Sequence, residues 1–207
     1  MEREAFLANV RERLAGVEVP PLPTDLPRTF ASGDGRTFER FAEELAKVGG
    51  EARLAAPDEI DDLIAEVANG LAGAVVADVG PYRDAVVAGL GRAGCAVLAP
   101  SREEAAAADL GITGADLAVA STGSVLVRMG PGTPRSASLL PPVHLAIVRA
   151  DRVVPGFEEL FAELPELARD AAQTVLITGA SRTGDIELTL VRGVHGPIKV
   201  VVLVITA

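Results

Sequence analysis

The segment at residues 176–187, LITGASRTGDIE, has the composition of an anion-binding turn. Its small and polar residues are Gly179, Ser181, Arg182, Thr183 and Asp185. Its first residues predict the end of a buried strand and its last residues the start of a helix, where free backbone N–H groups and the positive helix end attract anions. Arg182 would add a bidentate hydrogen bond to a phosphate or carboxylate. The alternative is an ordinary helix start, in which Ser181 or Thr183 caps the helix and Asp185 already satisfies its dipole.

A second set of polar residues surrounds a predicted tight turn: Ser121, Thr122, Gly123 and Ser124. The turn joins two strand-like runs, at 117–120 and 124–129. If these runs pair, the hydroxyl groups become exposed at the end of a sheet, where α/β folds place ligands. The alternative is a hairpin whose turn residues are merely polar. Asp116, just before the first run, is either an acid of the site or another turn residue.

Two further segments carry candidate binding side chains. Residues 129–144 are poor in regular structure, and loops of this length inside a compact domain are often functional. Arg135 and Ser136 are the polar candidates of this loop. His195 lies in a loop flanked by glycines and a proline, which favours a functional role. His144 opens a predicted strand, a setting in which histidine is usually only hydrogen-bonded.

Other kinds of site are excluded or disfavoured. GLGRAG at 89–94 matches the dinucleotide-binding string, but its glycines end a predicted helix and precede a strand, the reverse of what pyrophosphate binding requires. The two histidines lack H-x-x-x-H spacing, which argues against a metal site, and no G-x-S-x-G is present. The sole cysteine, Cys95, excludes an internal disulfide and an iron–sulfur cluster held by one chain, and its strand-like setting predicts a buried, inert thiol.

The elements that must position these residues follow from the periodicity of the apolar side chains. The predicted helices are 38–48, 57–71, 82–92, 102–110 and 156–172, and the predicted strands are 53–55, 74–77, 95–99, 117–120, 124–129, 144–150, 174–178 and 200–206. Helices and strands alternate up to residue 110, which predicts right-handed crossovers and a parallel sheet. The closely spaced strands that follow predict some antiparallel pairing. The expected fold is a three-layer α/β/α domain with a mostly parallel sheet and antiparallel additions.

The N-terminal region is expected to lie outside this domain. Phe6, Val10 and Leu14 recur at helical spacing, and the prolines that crowd residues 20–27 prevent a continuous helix. We therefore predict a helical arm and proline-rich linker at 1–34, followed by the α/β domain at 35–207. The arm docks either on its own domain or on a second copy.

The negative charge of the chain disfavours two classes of binding partner. The formal net charge of −10 disfavours nucleic acid and anionic membrane surfaces, because both recognise clustered lysines and arginines. No apolar run approaches the roughly 20 residues of a membrane span, and the first residues lack the apolar stretch of a secretory signal. A cytoplasmic location is expected.

Three segments together, 111–127, 135–144 and 181–197, resemble the LUD-domain family, in particular its lactate-utilisation protein C branch, and the likeness extends over roughly 37–207. The resemblance implies a fold of the NagB/RpiA/CoA-transferase type. It also implies an accessory role in oxidising L-lactate to pyruvate, with a cysteine-rich partner and an iron–sulfur partner that carry the clusters. The ligand would be a small anion, held by Thr122–Ser124, Arg135 and Ser181–Thr183 and oriented by Asp185 and His195.

One departure from the family bears on catalysis. The family commonly carries Glu-Thr-Gly-Thr where this chain has residues 121–124 as Ser-Thr-Gly-Ser. A glutamate there could act as nucleophile or base, and Ser121 cannot replace it without an activating base. The departure favours a binding or accessory role. Two alternatives stay open: a stand-alone enzyme acting on a sugar phosphate or coenzyme A thioester, and an interaction module without turnover.

Overall fold

The computed structural model describes residues 3–17, 37–130, 132–169, 171–183, 191–192 and 195–206. Within these ranges the α-helices are α1 (Arg3–Leu14), α2 (Thr37–Lys47), α3 (Ile60–Ala68), α4 (Arg83–Arg92), α5 (Arg102–Ala107), α6 (Ser136–Leu139) and α7 (Phe157–Ala168). The strands are β1 (Gly50–Ala55), β2 (Gly73–Val76), β3 (Ala96–Leu98), β4 (Leu110–Gly114), β5 (Leu117–Val119), β6 (Ser124–Met129), β7 (Val143–Arg149), β8 (Val153–Val154), β9 (Gln173–Thr178), β10 (Arg182–Thr183), β11 (Val191–Arg192) and β12 (Lys199–Ile205). Among the helices so described, none is long and apolar enough to cross a membrane.

The main sheet has six strands, all parallel, in the order β1-β12-β7-β4-β2-β3. A second sheet of four strands has the order β8-β5-β6-β9, in which β6 is antiparallel to both β5 and β9. Strands β10 and β11 form a separate antiparallel pair. The predicted α/β fold with a mostly parallel sheet and antiparallel additions is therefore confirmed, and the antiparallel additions have their own sheets.

Strand β12 illustrates why the main sheet lies at the centre of the molecule. Its odd-numbered residues, Val201, Leu203 and Ile205, belong to the core cluster that contains α3 and α4. Its even-numbered residues, Val200, Val202 and Val204, belong to the cluster on the opposite face, with α2, β5 and β6. Successive side chains of a strand point to opposite faces, so a strand covered on both sides is apolar throughout. This burial on both faces explains why residues 200–205 are all apolar.

Helices and the second sheet divide the two faces of the main sheet between them. Helices α3 and α4 cover one face. On the other face, α2 and the second sheet cover β7 and β12, while α5 and α6 cover β2 through Ala105 and Ala137. Helix α7 packs on the far side of the second sheet through Leu160. The main sheet is thus covered by helices alone on one face, and by helices together with the second sheet on the other.

Two predicted boundaries are wrong for reasons of tertiary structure. The helix predicted over 102–110 ends at Ala107, because Leu110 begins β4 and pairs with both β2 and β7. Sheet pairing here outweighs the helix propensity of the alanine run. The segment 129–144, predicted as a loop, contains the short helix α6.

The region around residue 178 also departs from expectation. The strand predicted as buried, β9, lies at the edge of the second sheet and leaves Leu176 38% exposed. Beyond it, Arg182–Thr183 is a strand paired with Val191–Arg192, so a helix capped by Ser181 does not begin here. The helix predicted after Thr183 lies outside the described residues. The backbone N–H groups of Arg182 and Thr183 are therefore not those of a first helical turn.

The N-terminal helix is present as α1, and it buries none of its residues. Phe6, expected on its apolar face, is 50% exposed. Of the linker predicted at residues 17–34, residues 18–34 lie outside the described residues, and the division at residue 34 stays a prediction.

Candidate functional site

A cavity of about 520 Å³ lies where the ends of β9 and β12 approach α2 and α6. We call it the arginine cavity, because two arginines line it. Its lining residues are Val48, Arg135, Ser138, Leu139, Val175, Ile177, Thr178, Gly179, Ala180, Ser181, Arg182, His195, Gly196 and Pro197. Three segments that carry Arg135, Arg182 and His195 thus line one cavity, although they are far apart in the sequence.

Gly179 allows Arg182 to reach this position. It has a φ of +68°, and a Cβ added to it would collide with the carbonyl oxygen of Val48. The next residue donates its backbone N–H to the same carbonyl at 3.2 Å. The turn after β9 is therefore held against the end of α2, where the Arg182 guanidinium donates from Nη2 to the carbonyl oxygen of Lys47 at 3.0 Å. Only glycine tolerates both the conformation and the close approach.

A second connection brings His195 beside the same turn. The backbone N–H of Ser181 donates to the carbonyl oxygen of Pro197 at 2.8 Å. A Cβ placed on Gly196 would lie 3.4 Å from the Cβ of Ser181, so the two loops are in contact. His195 is exposed at the rim of the cavity. The loop before β12 thereby places an imidazole within the same cavity as the guanidinium of Arg182.

Arg135 reaches the cavity from the start of α6. Its Nη1 donates to the side-chain oxygen of Gln173 at 3.2 Å, and its carbonyl oxygen accepts a hydrogen bond from the Ser138 hydroxyl at 3.3 Å. The first contact ties the side chain to the beginning of β9, and the second holds the backbone in the turn that starts α6. Arg135 is thus positioned by two segments that both line the cavity.

The charges of the arginine cavity favour an anion. Among the described residues, the guanidinium groups of Arg135 and Arg182 bond to neutral oxygens and to no carboxylate. Each guanidinium keeps donors in a planar arrangement that suits a carboxylate or phosphate. The remaining wall is mostly apolar, with Val48, Leu139 and Ile177 among its residues. An anionic group attached to a small apolar part would match both features.

The turn of Thr122 and Gly123 lies behind the cavity wall. It joins β5 to β6 as predicted, with Gly123 at a φ of +64° against the backbone of α2. The Thr122 and Ser124 hydroxyls are 2.7 Å apart, and the Ser124 hydroxyl is 2.8 Å from that of Thr178. Thr178 lines the cavity, so this chain of hydroxyls supports its wall from behind.

The expected exposure of that turn is wrong for two of its hydroxyls. Ser121 is 8% exposed and Ser124 is fully buried, because α2 packs over the turn. The Ser121 hydroxyl has no hydrogen-bond partner among the described groups, and nothing there activates it as a nucleophile. Ser136 is half-buried, and its buried hydroxyl likewise has no described partner. Neither serine lines the arginine cavity.

The side chains of two predicted ligand residues are not among those that the structure describes. Thr183 lies in β10 beside Arg182, and its side chain is not among those described. Asp185 lies outside the described residues. The feature of the cavity that the sequence indicated least clearly is the apolar wall, since Val175 and Ile177 belong to a strand that periodicity alone assigns to the core.

His144 and Cys95 have structural roles. His144 is fully buried, its Nε2 lies 3.0 Å from the Thr113 hydroxyl, and burial lowers its pKa to about 4. It is therefore a neutral, hydrogen-bonded residue of the sheet, which is the structural role expected of a histidine at the start of a strand. Cys95 is 4% exposed, and burial is the main cause that raises the pKa of its thiol. The thiol is thus protonated and shielded, as its strand-like setting predicted.

Comparison with known proteins identifies relatives of this fold and sequence. Residues 97–205 match the family model of the LUD domain. A lactate utilization protein C from Exiguobacterium sp. is 40% identical over 104 residues, which are 48% of this chain and 45% of that protein. One from Deinococcus radiodurans is 35% identical over 107 residues, 51% of this chain and 50% of that protein. The chain thus spans about half the length of the curated relatives that it matches.

A solved structure shows the same fold. The crystal structure of a DUF162 family protein from Deinococcus radiodurans has a TM-score of 0.65 to this chain at 22% identity. The match covers 82% of this chain and 96% of that one. The similarity of fold covers more of this chain than the sequence similarity to the curated relatives, which extends over about half of it.

Proposed function

Because this chain belongs to the LUD domain family, we propose that it serves lactate utilisation in the cytoplasm by binding a small anion in the arginine cavity. The observation that carries the proposal is the meeting of Arg135, Arg182 and His195 at one cavity. All three residues lie within 97–205, the segment that matches the family. The names of the relatives, lactate utilization protein C, supply the metabolic context.

L-lactate and its oxidation product pyruvate both fit the chemistry of the site. Each carries one carboxylate, which would accept hydrogen bonds from the guanidinium groups of Arg135 and Arg182. Each also carries a methyl group, which the apolar wall of Leu139 and Ile177 would accommodate. The Ser181 hydroxyl and the His195 imidazole offer hydrogen bonds to the oxygen on the second carbon. These groups bind and orient the ligand.

The oxidation itself needs an electron acceptor, and this chain alone does not have the residues to hold an iron–sulfur cluster in that role. Iron–sulfur clusters require several thiolates, whereas the sequence has one cysteine, and Cys95 is a buried thiol of raised pKa. We therefore assign the chain an accessory or regulatory role beside a cysteine-rich protein and an iron–sulfur protein that hold the clusters. The exposed helix α1 is the segment we expect to contact a partner or a second copy.

Growth on L-lactate as sole carbon source tests this function. A strain that lacks the chain should fail to grow, and the wild-type chain should restore growth. The double variant Arg135→Gln, Arg182→Gln should not restore growth. The matched control is Arg169→Gln, which removes an exposed arginine paired with Glu166 near the end of α7. Normal growth of the deletion strain, or full rescue by the double variant, would contradict the proposal.

A further inference from the structure

A second cavity, of about 400 Å³, lies at the carboxyl ends of three adjacent strands of the main sheet, β2, β4 and β7. Its lining includes Asp78 and Val79 after β2, Gly114 at the end of β4 with the two residues that follow it, and Arg149 at the end of β7. Its volume is within the roughly 300–1,000 Å³ of ligand pockets. We call it the switch-point cavity. None of the residues predicted to bind the anion lines it, and the arginine cavity has no residue in common with it.

The topology of the sheet explains why this cavity exists. Strands β2 and β4 are neighbours, but the chain leaves them toward opposite faces of the sheet. After β2 it enters α4, which packs on the face covered by α3. After β4 it enters β5, which belongs to the second sheet on the other face. Where adjacent parallel strands send their connections to opposite faces, a crevice opens at their carboxyl ends, and α/β proteins bind ligands there.

Backbone hydrogen bonds join the walls of this crevice. The N–H of Gly114 donates to the Asp78 carbonyl at 2.8 Å, and the N–H of Asp78 donates to the Gly132 carbonyl at 3.1 Å. A Cβ added to Gly114 would lie 2.7 Å from the same Asp78 oxygen, so a larger residue would force the two loops apart. Main-chain groups of three loops thus surround the cavity.

The polar groups of the cavity carry both charges. The Asp116 carboxylate is 19% exposed, and Arg128 holds it through Nε at 2.7 Å and through its backbone N–H at 3.2 Å. The Asp78 carboxylate is more exposed and accepts the N–H of Gly80 at 2.9 Å. The guanidinium of Arg149 faces the same space and is 62% exposed. Its Nε and Nη2 donate to the Asp151 carboxylate, so among the described groups Nη1 is the donor left for a ligand. Carboxylate acceptors and a cationic donor are therefore available together.

This combination selects a particular ligand chemistry. A dianion would be repelled by Asp78 and Asp116, and a simple cation would be repelled by the arginines. Hydroxyl groups donate to carboxylates, and one acid group on the ligand would bind the guanidinium of Arg149. We propose that the switch-point cavity is a second binding site, for a polyhydroxylated monocarboxylic acid. This proposal does not depend on the function of the arginine cavity.

Titration with D-gluconate tests the proposal, with n-hexanoate as the probe of equal charge and chain length that lacks hydroxyls. In a two-dimensional ¹H–¹⁵N spectrum, gluconate should shift the amide signals of Gly80 and Gly114, and hexanoate should not. The variants Asp78→Asn and Arg149→Gln should each weaken gluconate binding about tenfold, the effect of losing one charge-assisted hydrogen bond. Asparagine retains the oxygen that accepts the N–H of Gly80, so the loop should keep its structure.

Two matched variants show whether gluconate binds in this cavity or elsewhere on the chain. Asp62→Asn removes an exposed carboxylate paired with Arg92, away from the cavity, and should leave gluconate binding unchanged. Arg169→Gln removes an exposed arginine that lines neither cavity and should also leave gluconate binding unchanged. The proposal is overturned if gluconate fails to bind, if hexanoate shifts Gly80 and Gly114 equally, or if Asp78→Asn binds gluconate as well as the wild type does.

Discussion

Replacing His144 with glutamine should reduce the protein's loss of stability between pH 6.5 and pH 4 by about 3 kcal/mol. His144 is fully buried between Gly111 of β4 and Val200 of β12, and its Nε2 lies 3.0 Å from the Thr113 hydroxyl. Burial lowers its pKa from 6.5 to about 4 in the folded chain. In the unfolded chain the imidazole is in water and takes up its proton near the ordinary value.

The sign of the effect follows from which state binds the proton. Between pH 6.5 and pH 4 the unfolded chain binds a proton at His144 and the folded chain does not. The free energy of unfolding therefore falls as the pH falls through this range. Each unit of pKa difference corresponds to about 1.4 kcal/mol, so burial of this one histidine costs the wild type about 3 kcal/mol by pH 4. Glutamine is neutral at every pH and retains a side chain that can hydrogen-bond to Thr113.

Urea unfolding across this pH range measures the effect. We expect the wild type to lose about 3 kcal/mol more than His144→Gln between pH 6.5 and pH 4. The control is His195→Gln, which removes the exposed histidine, keeps His144 and should therefore keep the wild-type loss. Parallel losses in the wild type and His144→Gln would refute the reasoning. Such a result would mean that the buried imidazole is protonated as readily in the folded chain as in the unfolded one.

Two further substitutions test the packing around the arginine cavity. Gly179→Ala should lower the free energy of unfolding by about 2–4 kcal/mol, because the added Cβ collides with the Val48 carbonyl at a positive φ; urea denaturation measures this, and an unchanged midpoint would contradict it. Ser121→Ala should leave stability unchanged or raise it by up to about 1 kcal/mol, since the buried hydroxyl has no described partner. Thermal unfolding checks the second prediction, which fails if the variant is clearly less stable.

A strand that is covered on both faces can be predicted from the sequence, because all of its residues are apolar. β12 is apolar on every residue from Val200 to Ile205, which is typical of a strand covered on both faces. β9 has a similar apolar run but lies at a sheet edge, and its neighbours depend on strand order, which no local pattern encodes. The start of β4 at Leu110 could not be predicted for the same reason, since its pairing partners are distant in the sequence.

The two cavities differ in how far the sequence could anticipate them. Arg135, Arg182 and His195 are polar residues in loops beside apolar runs, so their meeting at one cavity could be predicted from the rule that loops gather at strand ends. The strand at Arg182–Thr183 could not be predicted, because it depends on pairing with Val191–Arg192. The switch-point cavity depends on which face each connection crosses. The sequence around Asp78 therefore does not indicate a binding residue. Asp116, by contrast, is a candidate acid because it lies just before a strand-like run.

Isothermal titration with L-lactate and with pyruvate tests most directly whether the arginine cavity is an anion site. We predict that the wild-type chain and Arg169→Gln bind at least one of the two anions with equal affinity. The double variant Arg135→Gln, Arg182→Gln should lose at least about 3 kcal/mol of binding free energy, a weakening of more than a hundredfold. Binding of either anion by the double variant at wild-type affinity, or no binding of either anion by the wild type, would contradict the account.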